Sequence, residues 1–313
     1  MTFQQRSLTA RDVQLLAELG ELGLMSAPLL LARHFTGFAN EESAQRSFRR
    51  RTKLFVALGL VNVTRVPLQR VAASSSLTMY RLTAAGADRV AELTGTRPRR
   101  AGSSQPLNPV TVPHRLGIVT TRLAIDDAHR QLGLPAPAWH FEFDVSADAT
   151  SVGSNDEKLL LYESFTVAGK RLVCWPDAAA RIRLGLEPAH ELLAYVEYDR
   201  STESSRQIAA KSEPYWRLVC ERRYLRHWPS SLGQHVVRVL FIVRSAERLQ
   251  HVASALRDTP GAELFRLATY ADLQPETLLT SAIWRTVDGR VLPMLKHPPT
   301  STSANSPAEH ETK

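Results

Sequence analysis

The sequence predicts an α/β protein in two parts, an amino-terminal winged helix-turn-helix and a carboxy-terminal mixed sheet covered by helices on both faces. Three observations predict it. The first third holds short helix-periodic stretches followed by two strand-like runs, and the remainder alternates helical and strand segments. Charge divides at the same place. Residues 1–110 hold 15 Lys+Arg against 7 Asp+Glu, whereas residues 111–313 hold 24 of each, so the whole net charge of +8 lies in the first third. Such asymmetry suits a polyanion-binding module joined to a neutral domain.

In the first module, Thr9 is an N-cap candidate before Val13, Leu16, Leu19 and Leu22, which recur at helical spacing. Ser26-Ala27-Pro28 opens a second helix. A third runs from Glu41 or Ser43 to Leu58, with Ala44, Phe48, Leu54 and Phe55 on one side. Arg46, Arg49, Arg50 and Lys53, three or four apart, share the other side. Leu60 to Val66 and Leu77 to Leu82 read as the two strands of a wing around a polar tip, Gln69 to Ser76. In a winged helix the last helix enters the major groove and the hairpin touches backbone, so these four cations are the expected contacts to double-stranded DNA. A solvated basic face and a protein-docking module are the competing readings of the same residues. The helix from Thr83 to Leu93 either covers the module or carries a homodimer contact.

The expected domains are residues 1–95 for this module and 114–295 for the α/β domain. Residues 96–113, with four prolines, are the expected linker, and residues 296–313, rich in Ser, Thr and Pro, a disordered tail. Composition narrows the classes further. The chain is 43% hydrophobic and 22% charged, within the range of globular proteins. No apolar run approaches the roughly 18 residues of a membrane span. The first residues lack the apolar block of a secretory signal, and Cys174 and Cys220 are the only cysteines. A cytoplasmic protein with no membrane partner is expected.

The second domain reads as a helix from His114 to Leu132, a strand from Trp139 to Val145, and another from Lys158 to Val167. Strands follow at Arg171–Trp175 and Ala179–Leu184. Glu191 to Asp199 alternates like a central strand whose end carries two acids. A helix capped by Ser201 or Thr202 then runs to about Arg223. It is followed by a strand at 236–243, a helix from Ala246 to Leu256 and a last strand at 264–269. Glu197 and Asp199 leave the same face of their strand, and a hairpin would bring Asp177 to them. Three converging carboxylates repel one another unless a cation lies between them, and Mg²⁺ or Mn²⁺ is the natural guest. Lys211, on the next helix, is the candidate for stabilising charge in phosphodiester hydrolysis. The structural alternative pairs Glu197 and Asp199 with Arg200, Arg206 or Arg181 and leaves Lys211 in solvent.

The order Pro176-Asp177-Ala178, Glu197-Tyr198-Asp199-Arg200-Ser201-Thr202, Lys211 and Tyr215, with His114 and Leu116 upstream, resembles the replication-relaxation family over residues 8–270. That family is encoded on plasmids and mobile elements, mostly of actinobacteria. It joins a winged helix to a domain similar to the PD-(D/E)xK restriction-endonuclease fold. The resemblance implies a DNA-binding replication or relaxation protein that nicks or cleaves DNA, with Asp177, Glu197 and Asp199 as metal ligands and Lys211 as the catalytic lysine. It also implies replication or conjugation proteins as further partners. One departure stands out. The lysine usually two residues after the acid is replaced by Asp199, so Lys211 has to reach in from the neighbouring helix. A DNA-binding factor with a degenerate nuclease-like domain is the alternative. No His-x-His, Walker A or GxGxxG pattern is present.

Overall fold

Helix α1 (Ala10–Leu22) starts where Thr9 and Asp12 satisfy each other. The Thr9 side chain accepts the Asp12 N–H and the Asp12 carboxylate accepts the Thr9 N–H at 2.7 Å. Ser26 caps α2 (Ala27–His34), which follows the two-residue strand β1 (Met25–Ser26), and Asn40 caps α3 (Glu41–Ala57). Gly59 then adopts a left-handed conformation and turns the chain into β2 (Val61–Pro67). β3 (Ser76–Leu82) returns antiparallel, and the three strands lie in the order β1-β3-β2. The polar tip expected at 69–76 lies outside the described residues except for Ser76. α4 (Ala84–Thr94), capped by Thr83, follows. The computed structural model describes residues 8–67, 76–98, 107–146, 154–183, 190–229 and 234–295, and its contacts divide into two units at Thr120/Thr121.

The core of the first unit explains which basic residues face inward. Leu15, Leu16, Leu19 and Phe55 are buried, and Phe48 meets Phe35 and Tyr80 edge-on. Arg51 departs from its basic neighbours: its guanidinium grips the buried Asp12 carboxylate, Nε to Oδ1 at 2.9 Å, and so ties α3 to the start of α1. Part of the expected linker is also ordered. Leu107 and Val112 are buried with Leu24, Val66 and Met79, because these two apolar side chains cover the end of the hairpin. Residues 99–106 of that stretch lie outside the described residues.

The unit boundary falls within α5 (Val112–Gln131). The second unit continues with β4 (Ala138–Phe141), the single turn α6 (Asn155–Lys158), β5 (Glu163–Val167), β6 (Lys170–Cys174), β7 (Ala178–Arg183) and β8 (His190–Tyr198). After these come α7 (Ser205–Cys220), the single turn α8 (Tyr224–His227), β9 (Gln234–Val243), α9 (Ala246–Leu256), β10 (Phe265–Thr269) and the short β11 (Trp284–Arg285) and β12 (Val291–Leu292). Seven strands form one mixed sheet in the order β12-β11-β10-β9-β8-β7-β4. β9 runs parallel to β8 and β10, while β7 is antiparallel to β4 and β8. This is the helix-flanked α/β sheet the sequence predicts. β5 and β6 form a separate hairpin instead of joining it. Leu193, Tyr195, Val239, Phe241 and Phe265 on one face of the sheet bury against Ile208, Tyr215 and Leu218 of α7 and Val252 and Leu256 of α9.

Three of the boundaries that differ from the sequence expectation have a clear local reason. The strand expected to reach Val145 stops at Phe141, because the Asp144 carboxylate accepts the Phe141 N–H and closes a turn. The strand expected from Lys158 begins only at Glu163, since Lys158 ends α6. The cap of α7 is Ser204 instead of Ser201 or Thr202, because Gln207 completes a capping box with it. No helix among the described residues is long and apolar enough to cross a membrane.

Candidate functional site

The β7–β8 hairpin sets the first pair of acids. Its register pairs Ala178 with Val196, so one further step places Asp177 opposite Glu197. Asp177 is fixed there by its own backbone. Its N–H donates to Val196 O, its carbonyl accepts the Glu142 N–H, and its Oδ2 accepts the Tyr198 N–H at 2.8 Å. Glu197, 5% exposed, points toward α7. There Lys211 Nζ donates to its Oε2 at 2.7 Å and the Tyr215 hydroxyl to its Oε1 at 2.5 Å.

Electrostatics follow from that burial. Desolvation pushes the Glu197 carboxyl above its ordinary range and Asp177 adds to the rise, while Lys211 and Tyr215 oppose it. Burial alone would lower the Lys211 ammonium, but the carboxylates of Glu197 and Glu203 outweigh it and hold the ammonium above its usual value. Cys174, in the core beneath, has its thiol pushed well up by burial, which fits a core residue better than a nucleophile.

On the first unit, Arg46, Arg49, Arg50 and Lys53 are all exposed on α3 and line one shallow recess with Glu42 and Gln45. Arg46 pairs with Glu42 at 2.8 Å and Arg49 donates to Gln45 at 3.1 Å, each one turn back along the helix. The opposite side of α3 buries Ala44, Phe48, Thr52 and Phe55.

Residues 16–228, which carry both the α3 cations and the Asp177, Glu197 and Lys211 group, match the family described as replication-relaxation. The chain belongs to this family. Membership points to a replication-related protein of a plasmid or mobile element. Neither a curated protein nor a solved structure matches the chain.

In this replication-relaxation protein the third expected acid has a different neighbour. Asp199 lies one residue beyond β8, and both its oxygens accept from Arg248 of α9, at 2.5 Å from Nε and 3.2 Å from Nη2. That partner is an arginine outside the three that the sequence alternative named. Arg181 approaches Glu191 instead, at 3.9 Å. Asp199 thus shares a sheet face with Glu197 but is engaged separately. Among the described residues, no three or more His, Cys, Asp or Glu side chains are grouped to hold a metal ion.

Sequence reasoning missed two residues here. Glu203 Oε1 lies 2.8 Å from Lys211 Nζ, so the ammonium bridges two carboxylates. Arg248 reaches the loop from 49 positions away in sequence. Glu203 carried a readable signal, because it stands just before the cap of α7 and eight residues before Lys211. From the cap Ser204 to Lys211 is seven residues, close to two helical turns, so a residue beside the cap can reach the side of the helix that carries Lys211. Arg248 carried none, since its partner is set by tertiary packing alone.

Proposed function

We propose that this protein binds double-stranded DNA through α3 and that its second unit cuts a DNA strand using Mg²⁺ or Mn²⁺. The observation that carries the reading is the approach of Lys211 Nζ to 2.7 Å from Glu197 Oε2, with Asp177 on the facing strand. These are the two acids and the lysine that metal-dependent phosphodiester hydrolysis requires, delivered by a strand hairpin and the following helix. DNA binding is supported by the exposed cations of α3 and by the element order α1-β1-α2-α3-β2-β3, which is that of a winged helix.

The donor set fits such an ion. Mg²⁺ keeps several waters and is commonly held by one or two carboxylates together with substrate phosphate. Asp177 and Glu197, on facing positions of the hairpin, would supply those two carboxylates without Asp199. When bound, the metal supplies Lewis-acid polarisation of the phosphate and an acidified water. The chain's own groups do the rest. Tyr215 orients the Glu197 carboxylate by hydrogen bonding one oxygen, and Lys211 offers a fixed positive charge to a phosphate whose negative charge grows during attack.

One observation favours a second reading, DNA binding without cleavage: the Asp199 carboxylate is closed off by Arg248 and, among the described residues, no third ligating side chain joins the other two. Supercoiled plasmid carrying the element's origin, incubated with protein and Mn²⁺, separates them. Open-circular product that disappears in Asp177→Ala and Glu197→Ala supports cleavage. Binding without any nicking by the wild type supports the second reading.

A further inference from the structure

We propose that Arg248 and Glu203 are positioning residues for Lys211. Arg248 fastens the 199–203 loop through the Asp199 carboxylate and the Glu203 carbonyl, and the Glu203 carboxylate thereby holds the Lys211 ammonium beside Glu197. The linkage is continuous. Arg248 Nη2 donates to Glu203 O at 2.7 Å while the same guanidinium holds Asp199, and Glu203 Oε1 lies 2.8 Å from Lys211 Nζ. Its inner end is shielded, for the side chain of Asp199 is 0% exposed and that of Arg248 12%, while the outer pair of Lys211 and Glu203 is 30% and 28% exposed. The loop needs a fastener. Within it Ser201 has φ 62°, a left-handed conformation that a residue with a Cβ keeps only where its surroundings enforce it.

Two anchors matter because a lysine side chain is long and flexible. With Glu197 as its only partner, the ammonium would lose its place whenever that carboxylate took another cation. Glu203 gives it a second hold that does not depend on Glu197. The clasp deepens the nuclease reading and rests on it only for what Lys211 does in the reaction. Arg248 lies beyond the residues that match the family, so this anchor comes from the later part of the fold.

The test is spectroscopic. Full-length protein labelled with ¹⁵N-lysine should show a Lys211 ammonium resonance near neutral pH, assigned by its absence in Lys211→Arg, because ammonium protons held by two carboxylates exchange slowly with water. The resonance should be lost in Glu203→Gln and in Arg248→Ala and return in part in Arg248→Lys, with circular dichroism reporting an intact fold. Should Arg248→Ala fail to fold, Glu203→Gln and Arg248→Lys carry the comparison. A resonance absent from the wild type, or unchanged in Glu203→Gln or in whichever Arg248 variants fold, overturns the clasp. In plasmid nicking, Glu203→Gln should lower kcat about tenfold or more at unchanged KM, as expected when a group is displaced by a fraction of an ångström to an ångström. A wild type that shows the resonance yet never nicks leaves the clasp standing and removes the nuclease reading.

Discussion

The Tyr215 hydroxyl donates to Glu197 Oε1 at 2.5 Å, joining α7 to a strand 18 positions earlier in the chain. Both residues are almost wholly buried, so the bond forms away from water. Tyr215→Phe keeps the ring among Tyr195 and Phe265 and removes only the donor. It should cost about 1.5–3 kcal/mol in urea unfolding, the range for a hydrogen bond to a charged group. In a Glu197→Gln background the same change should cost less. Equal losses in the two backgrounds would mean that the bond is not the source.

Glu18 gives the first unit a dependence on acid. Arg33 and His34 hold its carboxylate at 2.6 Å and 2.7 Å. Although burial raises its pKa, those hydrogen bonds and charges bring it down from 4.5 to about 2. A folded-state value below the unfolded one contributes stability that is complete above pH 4.5 and disappears as the pH falls toward 2. At roughly 1.4 kcal/mol for each pKa unit, the contribution is at most about 3.5 kcal/mol. Unfolding followed from pH 5 to pH 2 should show that loss, and Glu18→Gln should flatten it. A variant as acid-sensitive as the wild type would assign the effect elsewhere.

Gly86 looks like a helix weakness and is a packing requirement. An added Cβ would overlap the carbonyl oxygen of Leu60 and come within 2.7 Å of Leu82 Cδ1, because α4 lies directly on the hairpin. Helix propensity alone favours Gly86→Ala by about 1 kcal/mol. The clash with backbone should reverse that sign and give a net loss of about 1–2 kcal/mol. A higher melting temperature for the variant would show that the helix can move away from Leu60.

The α3 cations should differ in worth. Arg46 is partly neutralised by Glu42, whereas Arg50 and Lys53 have no ion-pair partner among the described residues. Each phosphate contact contributes about 0.9 to the slope of log affinity against log salt. Arg50→Ala and Lys53→Ala should each flatten the slope by about that amount, and Arg46→Ala by less. Fluorescence anisotropy over a potassium chloride series reads all three. Slopes identical to wild type would take α3 out of the DNA interface.

How much of this was legible in the sequence depended on how local each cause is. α9 occupies the stretch read as a helix, Ala246 to Leu256, the cap Thr9 stands where its side chain predicts, and a helix opens at Ser26-Ala27-Pro28. Strand alternation put Glu197 and Asp199 on one face, and the hairpin brought Asp177 opposite Glu197. The same rule could not say that Asp199 lies just past the last strand residue, within reach of an arginine on a helix still to come. Arg51 shows the same limit on the first unit. It stands in a run of cations, and only the buried Asp12 distinguishes it from Arg49 and Arg50. Residues a few positions apart speak through periodicity and capping, whereas partners 39 or 49 positions apart are chosen by the assembled core.

The register of β9 against β8 has a practical consequence. All nine residues of β8, His190 to Tyr198, are paired along β9, yet the family match ends at residue 228, before β9 begins. A fragment trimmed to that match would present a long, mostly apolar strand with a row of vacant amide and carbonyl groups along one border, an invitation to sticking and precipitation. Anyone expressing the second unit alone should therefore keep the chain through Leu295.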